Sequence, residues 1–242
     1  MSELEAQDKL AGGGSISDRV YAWLRQRILT GAIKPGELID EKKISARFSV
    51  SRTPVREAVK RLSDEHLVDV VAQSATRASQ LDSASIHEAF LIRRALEIES
   101  AAHAALAISP LHEEAIAEII DRHVDTIERK KFAAAIDIDD EFHAYIAGMS
   151  GLHRLWRTVE ISKAQLDRCR HIMLPKFGEA ETTIEHHRKI LQALKTGDEQ
   201  LSGAAMKVHL DSAYQSSVKM LGTTELSFPL EPKPGGRGKK LP

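Results

Sequence analysis

The sequence predicts a mainly α chain: an N-terminal winged helix-turn-helix domain followed by an all-helical antiparallel bundle. Three observations carry this expectation. Two short capped helical segments lie across a three-residue turn between Asp40 and Leu62, which is the spacing of a helix-turn-helix. A brief extended pattern follows, Leu67-Val68-Asp69-Val70-Val71, with a polar stretch and a second short extended segment behind it; that order describes a β-hairpin wing. From Ser83 onward the apolar spacing is helical almost without interruption, and strand signals are few.

The elements follow in order. Ala11-Gly12-Gly13-Gly14-Ser15 reads as a flexible linker, so the folded part is expected to begin near Ile16. Ser17 or Asp18 is positioned to cap a first helix with Val20, Trp23, Leu24, Ile28 and Leu29 on its apolar face, ending at Thr30-Gly31. Lys34-Pro35-Gly36 is a turn. Asp40 caps the second helix, with Ile44 and Phe48 inward, and Ser49-Val50-Ser51 leads to a third helix starting at about Arg52. In the body, breaks at Ser109-Pro110, Lys130-Lys131, Ser150-Gly151, Pro175 to Gly178 and Gly197-Asp198 divide the chain into six helices. The expected organisation is a flexible segment at 1–15, a winged helix-turn-helix head at 16–80, a helical body at 81–222 and a disordered tail at 223–242.

Charge separates the same regions. The whole chain carries a net charge of -1, but residues 15–80 sum to +4 and residues 81–232 to -7. A basic head on an acidic body suits the head, and not the body, to a polyanion. The single cysteine, Cys169, excludes an intrachain disulfide and a zinc site of several thiolates. No run of ~18 apolar residues occurs and the N-terminus has no signal-peptide pattern, so a cytoplasmic protein without a membrane span is expected.

On the third helix Val55, Val59 and Leu62 form an inward stripe, while Arg52, Arg56 and Lys60 recur every four residues on another face. Alone, such a stripe describes a solvated helix face. Directly after a short capped helix and before a hairpin, it describes a helix that reads DNA. Pro54 in the first turn sacrifices no helical hydrogen bond. Arginines near that start can make two parallel bonds to guanine, and Ser51 and Thr53 can donate to phosphate.

In the body, Ile136, Asp139, His143, Ile146 and Ala147 share one helical face. His187 lies in line with Ile184, Leu191 and Leu194, and His209 with Ala205 or Met206 and Ala213. One carboxylate and three imidazoles on apolar faces are costly unless they are paired. Together they suit zinc, nickel or another borderline divalent cation better than calcium or magnesium. The alternative is a set of unrelated buried histidines, since the chain has 11. His186 falls on the exposed side of the same helix, and His87, His103, His112, His123, His153 and His171 carry no pattern of this kind.

Ile33-Lys34-Pro35-Gly36 and Val50-Ser51-Arg52-Thr53-Pro54-Val55-Arg56-Glu57-Ala58 closely resemble the winged-helix head of the GntR family of bacterial transcription regulators. The resemblance implies that Lys42, Arg52, Thr53 and Arg56 contact an operator. The family usually has glycine where His66 stands and another in the wing where Gln73-Ser74-Ala75 stands. The body resembles the helical FCD domain of the fatty-acid-regulator subfamily, through Arg93-Arg94-Ala95-Leu96-Glu97, Asp139-x-x-Phe142-His143, and His187 with His209. That likeness implies a divalent metal, zinc first, on Asp139, His143, His187 and His209, and an effector carboxylate on Arg93. Where many members read Ser-Gly-Asn, this chain has Ser150-Gly151-Leu152. A salt bridge with Glu97 at i+4 is the competing role for Arg93.

The expected function is therefore a homodimeric regulator on a near-palindromic double-stranded operator, a repressor released by a small carboxylate. The competing class is a metal-dependent hydrolase in which the cluster activates water, with Glu141 or Glu185 as the base.

Overall fold

The computed structural model describes residues 14–71, 75–149, 151–177 and 180–220. The wing residues Gln73 and Ser74, Ser150 of the loop noted above, most of the N-terminal linker and the expected tail lie outside them. Among the described residues ten helices and one two-stranded sheet run in the order α1 (Ile16–Leu29), α2 (Glu41–Phe48), α3 (Arg52–Asp64), β1 (Val68–Val71), β2 (Ala75–Ala78), α4 (Ser83–Leu106), α5 (Pro110–Glu128), α6 (Phe132–Met149), α7 (His153–Ser162), α8 (Ala164–Phe177), α9 (Ala180–Lys195) and α10 (Glu199–Met220). This is the winged helix-turn-helix and helical bundle that the sequence predicts.

Two details of the prediction are corrected. The first cap is Ser15 rather than Ser17 or Asp18. Its hydroxyl accepts from the Asp18 amide while the Asp18 carboxylate accepts from the Ser15 amide, a reciprocal capping box that satisfies two free donors. The described body holds seven helices, not six, because the segment after His153 breaks at Lys163. No glycine or proline stands there. Lys163 is drawn into the core between Asp140 and Asp167, with its Nζ 2.6 Å from each, and Ser162 turns its hydroxyl back onto the Thr158 carbonyl.

The head closes on Val20, Leu24, Ile28, Ile44, Val55, Val59, Leu62, Leu67 and Val68. Gly36 makes the turn before α2 possible: it sits at φ 77°, and a Cβ there would stand 2.4 Å from Gln80 Nε2. The chain beyond it runs beside β2, where Ile39 donates to the Thr76 carbonyl and Ala78 to that of Glu37. β1 pairs antiparallel with β2, Val68 opposite Ala78 and Val71 opposite Ala75.

In the body, α4 and α10 pack antiparallel, as the Arg94–Asp211 and His87–Tyr214 contacts show. α5, α6, α8 and α9 close the bundle around Ile86, Ile116, Phe142, Ile146, Ile190, Leu194, Met206 and Leu210. The α8 helix belongs to both cores. Ala164 is buried with the head residues, and Leu166 and Cys169 with the body. Among the described residues no helix is long and apolar enough to cross a membrane.

Candidate metal centre and DNA-reading face

The four residues aligned by helical phase converge. Asp139 and His143 come from α6, His187 from α9 and His209 from α10, and one ligand atom from each lies within 4.8 Å of all the others. All four are buried. His143 Nε2 is 3.1 Å from His209 Nε2, and His187 Nε2 is 3.3 Å from Asp139 Oδ1. Phe142 stacks on the His187 ring at 3.8 Å and 9°, which fixes that imidazole by packing.

Electrostatics set the protonation states of these groups. Burial pushes His187 down to about 4, against the upward pull of Asp139, so its imidazole is neutral near pH 7. Burial and the neighbouring imidazoles hold His209 well below its ordinary value. Burial would raise Asp139, but Arg170 and the histidines keep its carboxyl well below the usual range. A neutral imidazole and an ionised carboxylate are the forms that bind a divalent cation. Neither nitrogen of His187 has a conventional hydrogen-bond partner among the described residues, nor has His209 Nδ1. Unsatisfied buried polar atoms are rare in native proteins and cost roughly 1–3 kcal/mol each. A cation fits this donor set.

Two contacts with the cluster, from Arg170 and Glu97, escape the sequence reading. Arg170 on α8 donates from Nη2 to Asp139 Oδ2 at 2.6 Å and from Nη1 to Asp140 Oδ1 at 3.2 Å. Glu97 on α4 accepts from Arg93 and brings its second oxygen to 2.5 Å from His143 Nδ1. Neither atom has a conventional hydrogen-bond partner among the described residues. The i+4 pairing of Arg93 with Glu97 is thus present, and the Nη2 of Arg93 is buried without a hydrogen-bond partner among the described residues. His123 also departs from the expectation that it carries no pattern: it is buried, with its ring 5.5 Å from that of His187. His87 is buried against the Tyr214 hydroxyl at 2.7 Å, and His186 is half-buried, outside the cluster.

In the head, Arg52, Thr53, Arg56 and Lys60 are exposed along α3, and Lys42 is exposed at the start of α2. All except Thr53 line one groove with Val70 and Thr76 of the wing. Arg56 Nε is 3.5 Å from Glu41 Oε2, and the Thr76 hydroxyl donates to Glu41 Oε1 at 3.2 Å. The Ser51 hydroxyl makes no capping bond and no acid occupies the first turn of α3. That helix end therefore presents uncompensated positive character to an anion.

Comparison with known proteins follows the same division. Residues 16–77 match the family described as bacterial regulatory proteins, gntR family, and residues 88–212 match the FCD domain. The HTH-type transcriptional repressor RspR of Escherichia coli K12 is 29% identical over 201 residues, covering 83% of this chain and 88% of the relative. An HTH-type transcriptional regulator in an unstable DNA locus of Streptomyces ambofaciens is 31% identical over 199 residues, covering 81% and 82%. Among solved structures, E. coli McbR/YncC shares the fold, with a TM-score of 0.74 at 21% identity over 86% of this chain and 99% of that one.

Proposed function

Since the chain belongs to the GntR family of bacterial regulatory proteins, carries its FCD domain and is a DNA-binding transcription regulator, we propose that it is a repressor whose operator binding is controlled by a small organic acid held near a divalent metal. The observation that carries this reading is the convergence of Asp139, His143, His187 and His209 from three helices. These four residues would hold the metal, zinc first and nickel or another transition ion next, and the ion would supply a Lewis-acid docking point for an effector oxygen. Arg93, whose Nη2 lacks a partner, is the residue for the effector carboxylate.

The head works as the other half. Arg52 and Arg56 read base edges, while Lys42, Ser51 and Thr53 meet phosphates. One head covers few bases, so specific affinity calls for a homodimer on a near-palindromic site. The effector acts through its different affinity for two arrangements of the heads. The two hydrophobic clusters, joined by α8, support a division into a head at 16–80 and a sensor at 81–222.

Family membership sets aside the hydrolase alternative. The two carboxylates considered as its base are also engaged on the surface, Glu141 with Arg122 at 2.5 Å and Glu185 with Lys189 at 2.6 Å.

The test is metal analysis of the purified full chain together with a thermal-shift screen of carboxylic acids. His187→Ala and His209→Ala are expected to lose bound metal and acid response together while operator binding persists. His186→Ala, next door on α9, is expected to keep both. Normal metal content in His187→Ala and His209→Ala would reject the centre.

A further inference from the structure

A metal ligand works only if the correct atom faces the ion, and side chains with two equivalent donors need an outside reason to present one of them. His143 and Asp139 each have such a choice. For His143, Nε2 faces the cluster, 3.1 Å from His209 Nε2 and 3.7 Å from Asp139 Oδ2, while Nδ1 faces Glu97 Oε2 at 2.5 Å. Glu97 is buried, and its other oxygen is held by Arg93. A carboxylate oxygen against Nδ1, paired through its other oxygen with the Arg93 guanidinium, favours the tautomer with the proton on Nδ1, which leaves the Nε2 lone pair toward the cluster.

For Asp139, the two oxygens have different neighbours. Oδ2 takes the 2.6 Å bond from Arg170, and Oδ1 lies 3.3 Å from His187 Nε2. The guanidinium is itself fixed by Asp140 at 3.2 Å and Asp167 at 3.7 Å. The bond to Arg170 leaves Oδ1 as the oxygen presented to His187.

We propose that Glu97 and Arg170 are the positioning residues of this centre, Glu97 selecting the ligating nitrogen of His143 and Arg170 the ligating oxygen of Asp139. The proposal rests on the metal-centre reading above. It gives Arg93 a second task, since the guanidinium that offers Nη2 also holds Glu97 in place. A purely structural role, in which Glu97 only neutralises Arg93 and Arg170 only neutralises a patch of acids, would stabilise the bundle without setting the ligand geometry.

The experiment uses the full-length protein and Co2+ as probe, with affinity from competition against a chromophoric chelator and coordination from the visible absorption of the bound ion. Glu97→Gln and Arg170→Gln are each expected to weaken Co2+ binding by about 10- to 100-fold and to alter its visible spectrum. Metal-free operator binding and far-ultraviolet dichroism should stay as in wild type. Glu97→Asp, which keeps the charge, is expected to recover part of the affinity. The double variant Glu97→Gln/Arg93→Met removes the cation that the single change leaves without its counter-ion, so a Co2+ defect persisting there belongs to His143. Wild-type affinity and spectrum in both Glu97→Gln and Arg170→Gln would overturn the proposal. Failure of the wild type itself to bind Co2+, or binding unaffected by His187→Ala, would overturn the metal centre instead.

Discussion

Arg56 stands exposed on α3 with its Nε 3.5 Å from Glu41, which also accepts from the Thr76 hydroxyl of the wing. Replacing it with alanine is expected to weaken operator binding by about 1–3 kcal/mol and to broaden base preference at one position. Lys42→Ala should weaken all sequences alike and flatten the salt dependence, as a phosphate contact does. Anisotropy titrations over a salt series separate the two; equal losses on operator and random DNA for Arg56→Ala would remove it from base reading. A second expectation concerns acid. His187 has a folded value of about 4 against an ordinary 6.5, so between those values the unfolded chain binds the proton more readily than the native one. Metal-free protein is therefore expected to lose stability as pH falls from about 6.5 toward 4, with part of this slope missing in His187→Gln. Urea midpoints at a series of pH values measure it. At this scale the four residues of the cluster were legible in the sequence because each occupies the apolar phase of its own helix. Glu97 and Arg170 were not, because their contacts with His143 and Asp139 cross between helices and leave no period in either segment.

The wing begins at a residue under backbone strain. His66 adopts φ 56°, the left-handed conformation that glycine takes without cost, at the position where the family usually has glycine. Its carbonyl is held there by the Ser79 hydroxyl at 2.8 Å and by Gln165 Nε2 at 2.6 Å. His66→Gly is expected to stabilise the protein by about 1 kcal/mol, read as a higher denaturant midpoint at unchanged m-value. A lower midpoint would show that the imidazole itself holds the structure. Local chemistry made most elements legible: Asp40 caps α2 through the Lys42 and Lys43 amides, and Ser109 with Pro110 opens α5. The break between α7 and α8 left no such mark. Lys163 ends the helix through Asp140 and Asp167, and a lysine at that place in a sequence looks like any solvated helix residue.

Across the whole molecule, α8 decides whether head and body behave as one unit. From one turn of this helix Gln165 reaches the His66 carbonyl and the Ser79 hydroxyl, and Arg168 donates to the Ser79 carbonyl at 3.0 Å. Arg168 is fully buried, and no carboxylate pairs with it among the described residues. A charge placed there is costly unless its hydrogen bonds are kept, which ties the helix to the head in one geometry. Arg25 of α1 adds a contact with Asp167 at 3.9 Å while holding Glu65 at 2.9 Å. Because Ala164 lies in one core and Leu166 and Cys169 in the other, melting either core exposes apolar surface of the same helix. Calorimetry of the wild type is therefore expected to give one transition, raised as a whole by added Zn2+ through binding to the native state. In Gln165→Ala/Arg168→Ala the junction loses its directional bonds, and the transition should divide into two, of which only the body's responds to Zn2+. Two separate transitions already in the wild type, or a single Zn2+-responsive one in the double variant, would show that α8 does not join the cores.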